Sequence, residues 1–369
     1  GPAMLEVSGT TVFDLMSKLQ SPSGLISNTN CVRQDVVHNL EGFDSDNLTF
    51  VRLINIGDTA LTDIRGTIKD ASGNTVGNGD IQLTAELPGK AAIWLNRNDL
   101  AGLVGAEWDG TGSLSTTIRR PNLRLLNLNF VNGETFFNFS CFESNDSGRV
   151  YLITNAASAN VSETHFINTS SSDNTLTANL YAGTGDRLGD TDVALGATVS
   201  ARGRLVLSAT DIESVLGTDT WSGPAMMEVA GTGNFGLMIK LTSPSGLVSN
   251  TNCVRQGAVH NIEGGNSPDK TFVRFINQGS DTITNIRGTL YDITGAVIGD
   301  ADSELFSSLS AKEQQWLNRD AIINIFGTWI DEATLVVTAS DDTNLRLLNL
   351  NFVNQETFFN FSCYENTSN

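Results

Sequence analysis

Basic residues, histidines and long apolar runs are scarce in this sequence. The 369 residues include 22 lysines and arginines against 41 aspartates and glutamates, so the formal net charge is −19 at pH 7. A surface of that sign repels the phosphates of nucleic acids and anionic lipids, and we therefore expect no nucleic-acid partner. No apolar run approaches the length that a membrane helix needs, which predicts no membrane span.

Reactive side chains are equally few. The four cysteines form no C-x-x-C pair and have no nearby histidine, so we expect no zinc site. Of the three histidines, His38 and His260 have equivalent surroundings (VVHNLEG and AVHNIEG), and we expect them in connectors between units. No nucleophile elbow, Ser/His/Asp order or phosphate-binding loop accompanies them. The sequence therefore predicts no catalytic residues, no enzyme activity and no cofactor.

What the sequence does contain is repetition. The stretch NLRLLNLNFVNGETFFNFSC from Asn122 recurs from Asn344 with one change, Gly133 against Gln355. The same offset relates GPAMLEV at Gly1 to GPAMMEV at Gly223. A duplication of this length indicates tandem structural units.

A shorter period lies inside the first, because Cys31, Cys141, Cys253 and Cys363 follow one another at nearly equal intervals, each about half of the longer repeat. Two unit types alternate: type A closes with FFNFSC and type B with SNTNC. Openings that we align at Thr49, Arg149 and Thr271 support this division. We predict a partial type-B unit, a first type-A unit, a type-B unit and a second type-A unit, at residues 1–34, 35–147, 148–256 and 257–369.

Strand patterns dominate every unit. Apolar and amide side chains alternate from Leu348 to Phe352 and again from Phe359 to Cys363, which predicts a hairpin with one buried face. Seven short strands per unit of about 110 residues favour an all-β fold of tandem antiparallel β-sandwich domains. The short capped runs at Asn98–Leu100 and Thr210–Glu213 predict one helical turn.

The junction between units carries a resemblance. Trp221-Ser222-Gly223-Pro224-Ala225, the strand MetMetGluVal, and Ser243-Pro244-Ser245-Gly246-Leu247 together resemble tandem immunoglobulin-like modules of secreted and cell-surface proteins in bacteria and archaea. The resemblance implies an Ig-like sandwich in each unit and a spacer, adhesive or assembly role. It implies no catalytic residue.

Cys31, Cys141, Cys253 and Cys363 are candidate disulfide cysteines. They allow three intrachain connectivities, and the alternative is a buried thiol in a core strand. Bonded cysteines have Cα atoms within about 7 Å of each other. Pairing Cys31 with Cys141 and Cys253 with Cys363 therefore requires the chain of each type-A unit to end close to where it begins. An eighth strand within 32–48 and 254–270 would achieve this; otherwise the bonds would join subunits.

The tryptophans recur once per unit in two sets: Trp94 with Trp316, and Trp108 with Trp221 and Trp329. We interpret both sets as core anchors, with a sugar-binding platform as the alternative. The acidic pairs Asp44/Asp46, Asp190/Asp192 and Asp300/Asp302 are candidate calcium ligands, although none has EF-hand spacing and a solvated turn is the simpler interpretation.

These observations predict a non-enzymatic, extracellular or cell-surface structural protein: a filament, surface-layer or stalk subunit that self-associates. The alternative is an adhesin or a carbohydrate-binding array, with glycans as partners. The partial type-B unit contains closing strands without the strands that they should pair with, and such edges favour pairing with another chain. Its candidate assembly strand comprises Met4, Leu5, Val7 and Leu25, and we expect it to pack against a neighbouring subunit or the next unit.

Overall fold

A computed structural model describes residues 3–11, 13–22, 26–28, 31–140, 142, 144–196, 198–363 and 365–366. The described chain is mainly antiparallel β-structure with three short helices, as the sequence predicts. No helix in these ranges is both long and apolar enough to cross a membrane. The tandem order of the repeats is reflected in groups of strands with one recurring topology.

The partial type-B unit contributes three short strands: β1 (Asp14–Leu15), β2 (Lys18–Gln20) and β3 (Ile26–Asn28). β2 and β3 form an antiparallel hairpin. β1 pairs with β27 (Glu365–Asn366), the last described strand.

The first type-A unit is a sandwich of two four-stranded antiparallel sheets. One sheet has the order β4-β9-β6-β7 and the other β11-β10-β5-β8. Its elements are β4 (Val36–Glu41), β5 (Leu48–Asn55), β6 (Leu61–Lys69), β7 (Ile81–Leu87), β8 (Ala92–Asn96), α1 (Arg97–Val104), β9 (Thr111–Thr116), β10 (Leu123–Val131) and β11 (Thr135–Asn138).

The type-B unit has the same strand order with one difference. A single bent strand, β17, runs through both sheets and replaces the two strands β9 and β10. Its elements are β12 (Ser144–Ile153), β13 (Val161–Asn168), β14 (Leu176–Tyr181), β15 (Arg187–Ala194), β16 (Arg204–Ser208), α2 (Ala209–Leu216), β17 (Ala225–Thr242) and β18 (Val248–Asn250).

The second type-A unit repeats the topology of the first, with sheets β19-β24-β21-β22 and β23-β20-β25-β26. Its elements are β19 (Ala258–Ile262), β20 (Lys270–Asn277), β21 (Ile283–Asp292), β22 (Val297–Leu309), β23 (Gln314–Asn318), α3 (Arg319–Phe326), β24 (Ala333–Thr338), β25 (Leu345–Val353) and β26 (Thr357–Asn360). β27 (Glu365–Asn366) follows and pairs with β1.

Each unit has its own hydrophobic core between its two sheets. Trp108, Trp221 and Trp329 are buried in these three cores, which confirms the prediction for this set. The indole N–H of Trp108 donates to the carbonyl oxygen of Leu40 at 3.1 Å, and that of Trp329 to Ile262 at 3.3 Å. A buried indole therefore also fixes the first strand of each type-A sandwich to its core.

The type-A units contain eight strands, not seven, because β4 and β19 lie in the segments 32–48 and 254–270. His38 and His260 are therefore strand residues, and the expectation that they lie in connectors is wrong. The alignment of Arg149 with Thr49 is also wrong by one strand. Arg149 lies in β12, which pairs with β17 as β4 pairs with β9, and the counterpart of β5 is β13.

A repeated asparagine shows the correct alignment. The side-chain amide of Asn55 at the end of β5 donates to three loop carbonyl oxygens, at 2.8 to 3.1 Å. Asn168 at the end of β13 and Asn277 at the end of β20 make the equivalent three bonds. The same amide thus closes the same loops in all three units.

The helices are longer than the single turn that we expect from the sequence. Each has eight residues, since it is capped at both ends. In α1 the Asn96 side chain accepts from the N–H of Asp99 while the Asp99 carboxylate accepts from that of Asn96, and Gly105 ends the helix in the left-handed conformation.

The closing hairpins of the type-A units form as predicted, with β10 paired to β11 and β25 to β26. The prediction of one buried face is wrong, because Leu128 and the alternating Asn127 and Asn129 are all buried. The two amides donate to the carbonyl oxygens of His38 and Asn39, where β4 bulges. They satisfy backbone groups that the irregular pairing of β4 leaves unpaired, and so close one side of the sandwich.

Candidate functional site

The contacts between units are the most distinctive feature of the molecule. The first, which we call the hairpin contact, joins the type-B unit to the first type-A unit. Met238 of β17 is fully buried against Val131, Phe137 and Phe139. The Asn132 side chain donates to the carbonyl oxygen of Gly246 at 2.7 Å beside this cluster.

A polar group borders the hairpin contact. Arg204 of the type-B unit is half-buried and donates to the side-chain oxygen of Asn39, which has a left-handed φ of 60° at the β4 bulge. Burial lowers the pKa of Arg204 to about 10, although the carboxylates of Glu41 and Glu163 oppose this effect. Burial, together with nearby arginines, also holds the pKa of His38 well below its usual range.

The partial type-B unit makes the same hairpin contact with the second type-A unit. Met16 packs against Val353, Phe359 and Phe361, which are the repeat equivalents of Val131, Phe137 and Phe139. Lys18 forms an ion pair with Glu332 at 3.0 Å. The hairpin β2–β3 has the same register as the pair β17–β18. Lys18 pairs with Asn28, and their equivalents in the long repeat, Lys240 and Asn250, pair in the same way.

One of the two expected alternatives is met, because the partial unit packs against the next unit: Glu6 contacts Lys90, and the Asn138 amide donates to the carbonyl oxygen of Cys31. Its hairpin also contacts the last unit of its own chain, which the sequence does not predict. Met4, Leu5 and Val7 of the candidate assembly strand are exposed, and Leu25 lies outside the described residues. The type-B unit lies between the two type-A units, and the hairpin of the partial unit completes the second hairpin contact.

The second kind of contact, which we call the arginine contact, joins the type-B unit to the second type-A unit. The Arg274 side chain is 1 % exposed and donates to the carbonyl oxygens of Tyr151 at 2.5 Å and Pro224 at 2.8 Å. It also donates to the side chain of Gln314. Burial lowers the pKa of Arg274 to about 9. A guanidinium that is held by uncharged groups is costly to bury, so these carbonyl bonds are needed to keep it there.

Apolar side chains and a group of charged side chains accompany Arg274 in the arginine contact. Lys312 lies 2.8 Å from the Glu228 carboxylate, which Arg149 also contacts at 2.9 Å. The apolar residues come from both units and are Leu152, Met226, Ile276, Leu348 and Leu350. The interface therefore resembles a small core with an ionic border.

The first type-A unit carries the counterpart of this surface. Arg52 and Trp94 stand in the places of Arg274 and Trp316, and the guanidinium lies 5.4 Å from the indole ring centre, against 5.2 Å in the second unit. Lys90 contacts Glu6 at 3.1 Å, as Lys312 contacts Glu228. Trp94 is nevertheless 37 % exposed.

The prediction that Trp94 and Trp316 are core anchors is wrong. Both lie outside the cores of their units, on the outer surface of the sheet that contains β5 or β20. Each makes an edge-on contact with a phenylalanine, Phe50 or Phe272, at 6.4 Å between ring centres. Trp316 is an interface residue beside the type-B unit, whereas Trp94 is exposed on the equivalent surface.

A cleft of about 690 Å³ opens beside the arginine contact. Phe272, Trp316 and Phe358 form an aromatic wall in which Phe272 contacts Phe358 edge-on at 5.9 Å. Amides and hydroxyls of the opposite wall come from the type-B unit and include Thr154, Asn155, Ser158 and Asn160. Aromatic rings facing amides and hydroxyls can stack on a sugar ring and bind its hydroxyls.

Two of the cysteines are bonded to each other within the chain. Cys253 and Cys363 form a disulfide with a Cα–Cα distance of 5.2 Å. The eighth strand brings the two together, since Arg255 pairs with Leu347 just before β19. Cys31 is also disulfide-bonded, and Cys141 lies outside the described residues. The amides of Asn138 and Asn360 donate to the carbonyl oxygens of Cys31 and Cys253, both at 3.0 Å.

The acidic pairs are engaged in local bonds. The Asp302 carboxylate contacts Arg287 at 2.9 Å, that of Asp192 accepts from the Asn179 amide at 2.7 Å, and that of Asp44 accepts from a backbone N–H at 2.7 Å. Within the described ranges no three histidine, cysteine, aspartate or glutamate side chains are grouped to hold a metal ion. Calcium binding at these pairs stays a prediction.

Sequence reasoning missed the residues that make the contacts: Arg274, Arg204, Asn39 and Met238. One signal was present for Arg274, because an arginine in an otherwise apolar strand, TFVRFIN, suggests a buried polar partner. The pairing of that arginine with backbone carbonyls had no local signal.

Comparisons with known proteins give little. No family model and no curated protein matches the chain. Two matching solved structures come from work on the atomic structure of Sulfolobus Turreted Icosahedral Virus and on the triple jelly roll fold and turret assembly in an archaeal virus. Each match covers 92 % of this chain and 88 % of the other at 10 % identity, with TM-scores of 0.15 and 0.16. Scores this low carry no argument about fold or function.

Proposed function

We propose that the chain is a non-enzymatic structural protein of the cell surface or extracellular space, which self-associates as part of a filament, surface layer or stalk. The observation that carries the proposal is the repetition of one contact. Met238 and Met16 enter equivalent pockets of the two type-A units, formed by residues at matching positions of the long repeat. A contact that recurs with the sequence period can be extended to further units.

The interfaces support a mechanical role. The arginine contact buries a guanidinium and five apolar side chains between two units, which makes independent movement of those units costly. The disulfide between Cys253 and Cys363 joins residues with a sequence separation of 110. Disulfides persist in oxidising compartments, and this supports an extracellular location.

Two strand pairings support the resemblance to immunoglobulin-like modules, whereas others differ, since β4 lies beside β9 and β10 beside β5. In the first type-A unit, the second strand β5 lies beside the fifth strand β8, and the third strand β6 lies beside the sixth strand β9, in opposite sheets. Immunoglobulin-type sandwiches pair their strands B with E and C with F in the same way. Such modules commonly serve as spacers, and fold alone does not fix the function.

Electron microscopy of the purified protein at rising concentration tests the proposal. We expect ordered fibres or sheets, and their loss when Met238 is replaced by Asp. A Val161→Asp variant, which adds the same charge at an exposed position of the same unit, serves as the control. Dispersed particles at every concentration would contradict self-assembly.

The second candidate function is carbohydrate binding, and the cleft beside Trp316 favours it. Its aromatic wall and facing amides suit a sugar ring. A glycan array with the wild-type chain and the Trp316→Ala variant tests it. Binding that is lost in Trp316→Ala but kept in Trp94→Ala would place the ligand in the cleft, whereas an array without binders argues against an adhesin.

A further inference from the structure

The partial type-B unit occupies the place of a complete one. Glu6 contacts Lys90 of the first type-A unit as Glu228 contacts Lys312 of the second, at 3.1 and 2.8 Å. At its other end, Met16 makes the hairpin contact that Met238 makes. Residues 3–28 therefore bridge the two type-A units at positions equivalent to those of β17 and β18.

Its apolar side chains are exposed where their counterparts are buried. Leu5 is 84 % exposed and Leu19 is 42 % exposed, whereas Met227 and Leu241 are 0 % and 3 % exposed. Met4 and Val7 are exposed in the same way, while Met226 and Val229 are buried. The difference comes from the neighbours and not from the polarity of the sequence, since the paired residues are all apolar.

The neighbours that bury Met227 and Val229 are core residues of the type-B unit, whereas Met226 is buried at the arginine contact. Met227 pairs with Val150 of β12 and Leu180 of β14, and Leu241 pairs with Ser162 of β13. Those strands all lie within the segment 144–222. Among the described residues of the partial unit, β2 pairs with β3 alone in its sheet. The exposed Leu5 and Val7 thus correspond to the inner surface of a sandwich that lacks its other strands, while Met4 corresponds to its outer surface.

We propose that residues 3–28 are the closing strands of a second complete type-B sandwich, and that a further copy of the segment 144–222 completes it. The proposal deepens the assembly role, because it names what the chain assembles with. The occupant is specified by the structure itself, since the same segment already covers equivalent residues once in this chain.

The charges of the two type-A units fit this occupant. A copy of Arg204 would reach Asn261 and Glu263 of the second type-A unit, as Arg204 reaches Asn39 and Glu41 of the first. Burial raises the pKa of Glu263, and a guanidinium would counter that effect. On the first type-A unit, a copy of Tyr151 would bring its carbonyl oxygen to Arg52.

A fusion tests the proposal. A second copy of the segment 144–222 is joined to the N-terminus, so that Ser222 precedes Gly1 as it naturally precedes Gly223. Hydrogen–deuterium exchange is then followed in residues 3–11 and 13–20, with residues 225–242 of the same molecule as the internal standard. We expect exchange in residues 13–20 to slow by about tenfold or more, toward that of the standard. Unchanged exchange would overturn the proposal.

Matched variants distinguish a fused segment that folds onto residues 3–28 from one that folds on its own. Leu5→Asp with Leu19→Asp is expected to leave the unfused chain stable, because both side chains are exposed, but to unfold the fused segment. A fused segment that folds equally well with both aspartates overturns the proposal. So does one that stays unprotected even when joined through a glycine-serine linker.

In the remaining outcome, a different partner covers the exposed apolar residues of the partial unit. If the unfused chain forms a dimer in which residues 13–20 are already protected, the occupant is a second whole chain and the proposal is wrong. Fibre formation is a separate observation: the fused segment can fold on residues 3–28 whether or not fibres form, so the two proposals fail independently.

Discussion

The two type-A units share a nearly identical closing hairpin but are covered on opposite sides. In the first, the type-B unit covers the hairpin contact around Phe137 and Phe139, while Trp94 is exposed and the partial unit contacts Lys90. In the second, the type-B unit covers Trp316 and Arg274, and only the partial unit covers the hairpin contact. The comparison shows that burial in this molecule depends on the neighbouring unit more than on the local sequence.

Removal of the disulfide should have the largest effect. Replacement of Cys253 and Cys363 by serine removes the bond that closes a loop with a sequence separation of 110. The loop-entropy relation then gives a loss of about 4.7 kcal/mol in the free energy of unfolding. Denaturant unfolding of the double variant, with the oxidised wild type as reference, measures this loss. An unchanged unfolding midpoint would show that the second type-A unit is held together without its covalent bond.

Arg274→Ala should cost about 3 kcal/mol, because it removes a fully buried side chain and the hydrogen bonds that it donates to two half-buried carbonyl oxygens. The matched variant Arg52→Ala should cost about 1 kcal/mol or less, since that side chain is only half-buried. Both are measured as free energies of unfolding. Equal losses would contradict the conclusion that the type-B unit makes the difference between the two sites.

Met238→Ala should cost about 3 kcal/mol, as expected for a methionine that is fully buried. Met16→Ala should cost less, about 1 to 2 kcal/mol, because Met16 is half-buried in the equivalent pocket. Thermal unfolding of the two variants compares the complete and partial hairpin contacts. A larger loss for Met16→Ala would reverse the order of the two contacts.

Acid should weaken the first type-A unit through His38. Burial and the charges of Arg33 and Arg204 keep the folded-state pKa of His38 well below 6.5, so the unfolded chain binds a proton that the folded chain does not. This stability is complete above pH about 6.5 and falls at lower pH by about 1.4 kcal/mol per pH unit.

Unfolding free energies of His38→Gln and wild type between pH 7.5 and 5 test this expectation, and the variant should show a shallower fall. His260→Gln, at the equivalent place in the second type-A unit, is the control for removing an imidazole. A His38→Gln variant with the same acid sensitivity as wild type would rule out His38 as the source.

Much of each unit could be predicted from the sequence. The repeat period follows from comparing the units along the chain, and the closing hairpins follow from side-chain alternation within a unit. An eighth strand followed only as the condition for pairing Cys31 with Cys141 and Cys253 with Cys363. The burial of Asn127 and Asn129 could not, because alternating amides are typical of a solvent-facing side of a strand. Their partners are the carbonyl oxygens of a bulge in β4, far earlier in the chain.

The interface residues show the same limit. Trp94 and Trp316 have equivalent local sequences, so no local rule can distinguish an indole that is 37 % exposed from one beside a full type-B unit. The arginines are equally alike in sequence, yet only Arg274 reaches the carbonyl oxygens of Tyr151 and Pro224.

The sequence by itself determined the strands and the repeating order of the units, because side-chain alternation and turn residues act over a few neighbouring positions. Only the tertiary structure decided which of two equivalent surfaces is buried. Burial of Arg274, His38 and Met238 depends on another unit that is distant along the chain, and desolvation by such a neighbour leaves no mark on the local pattern.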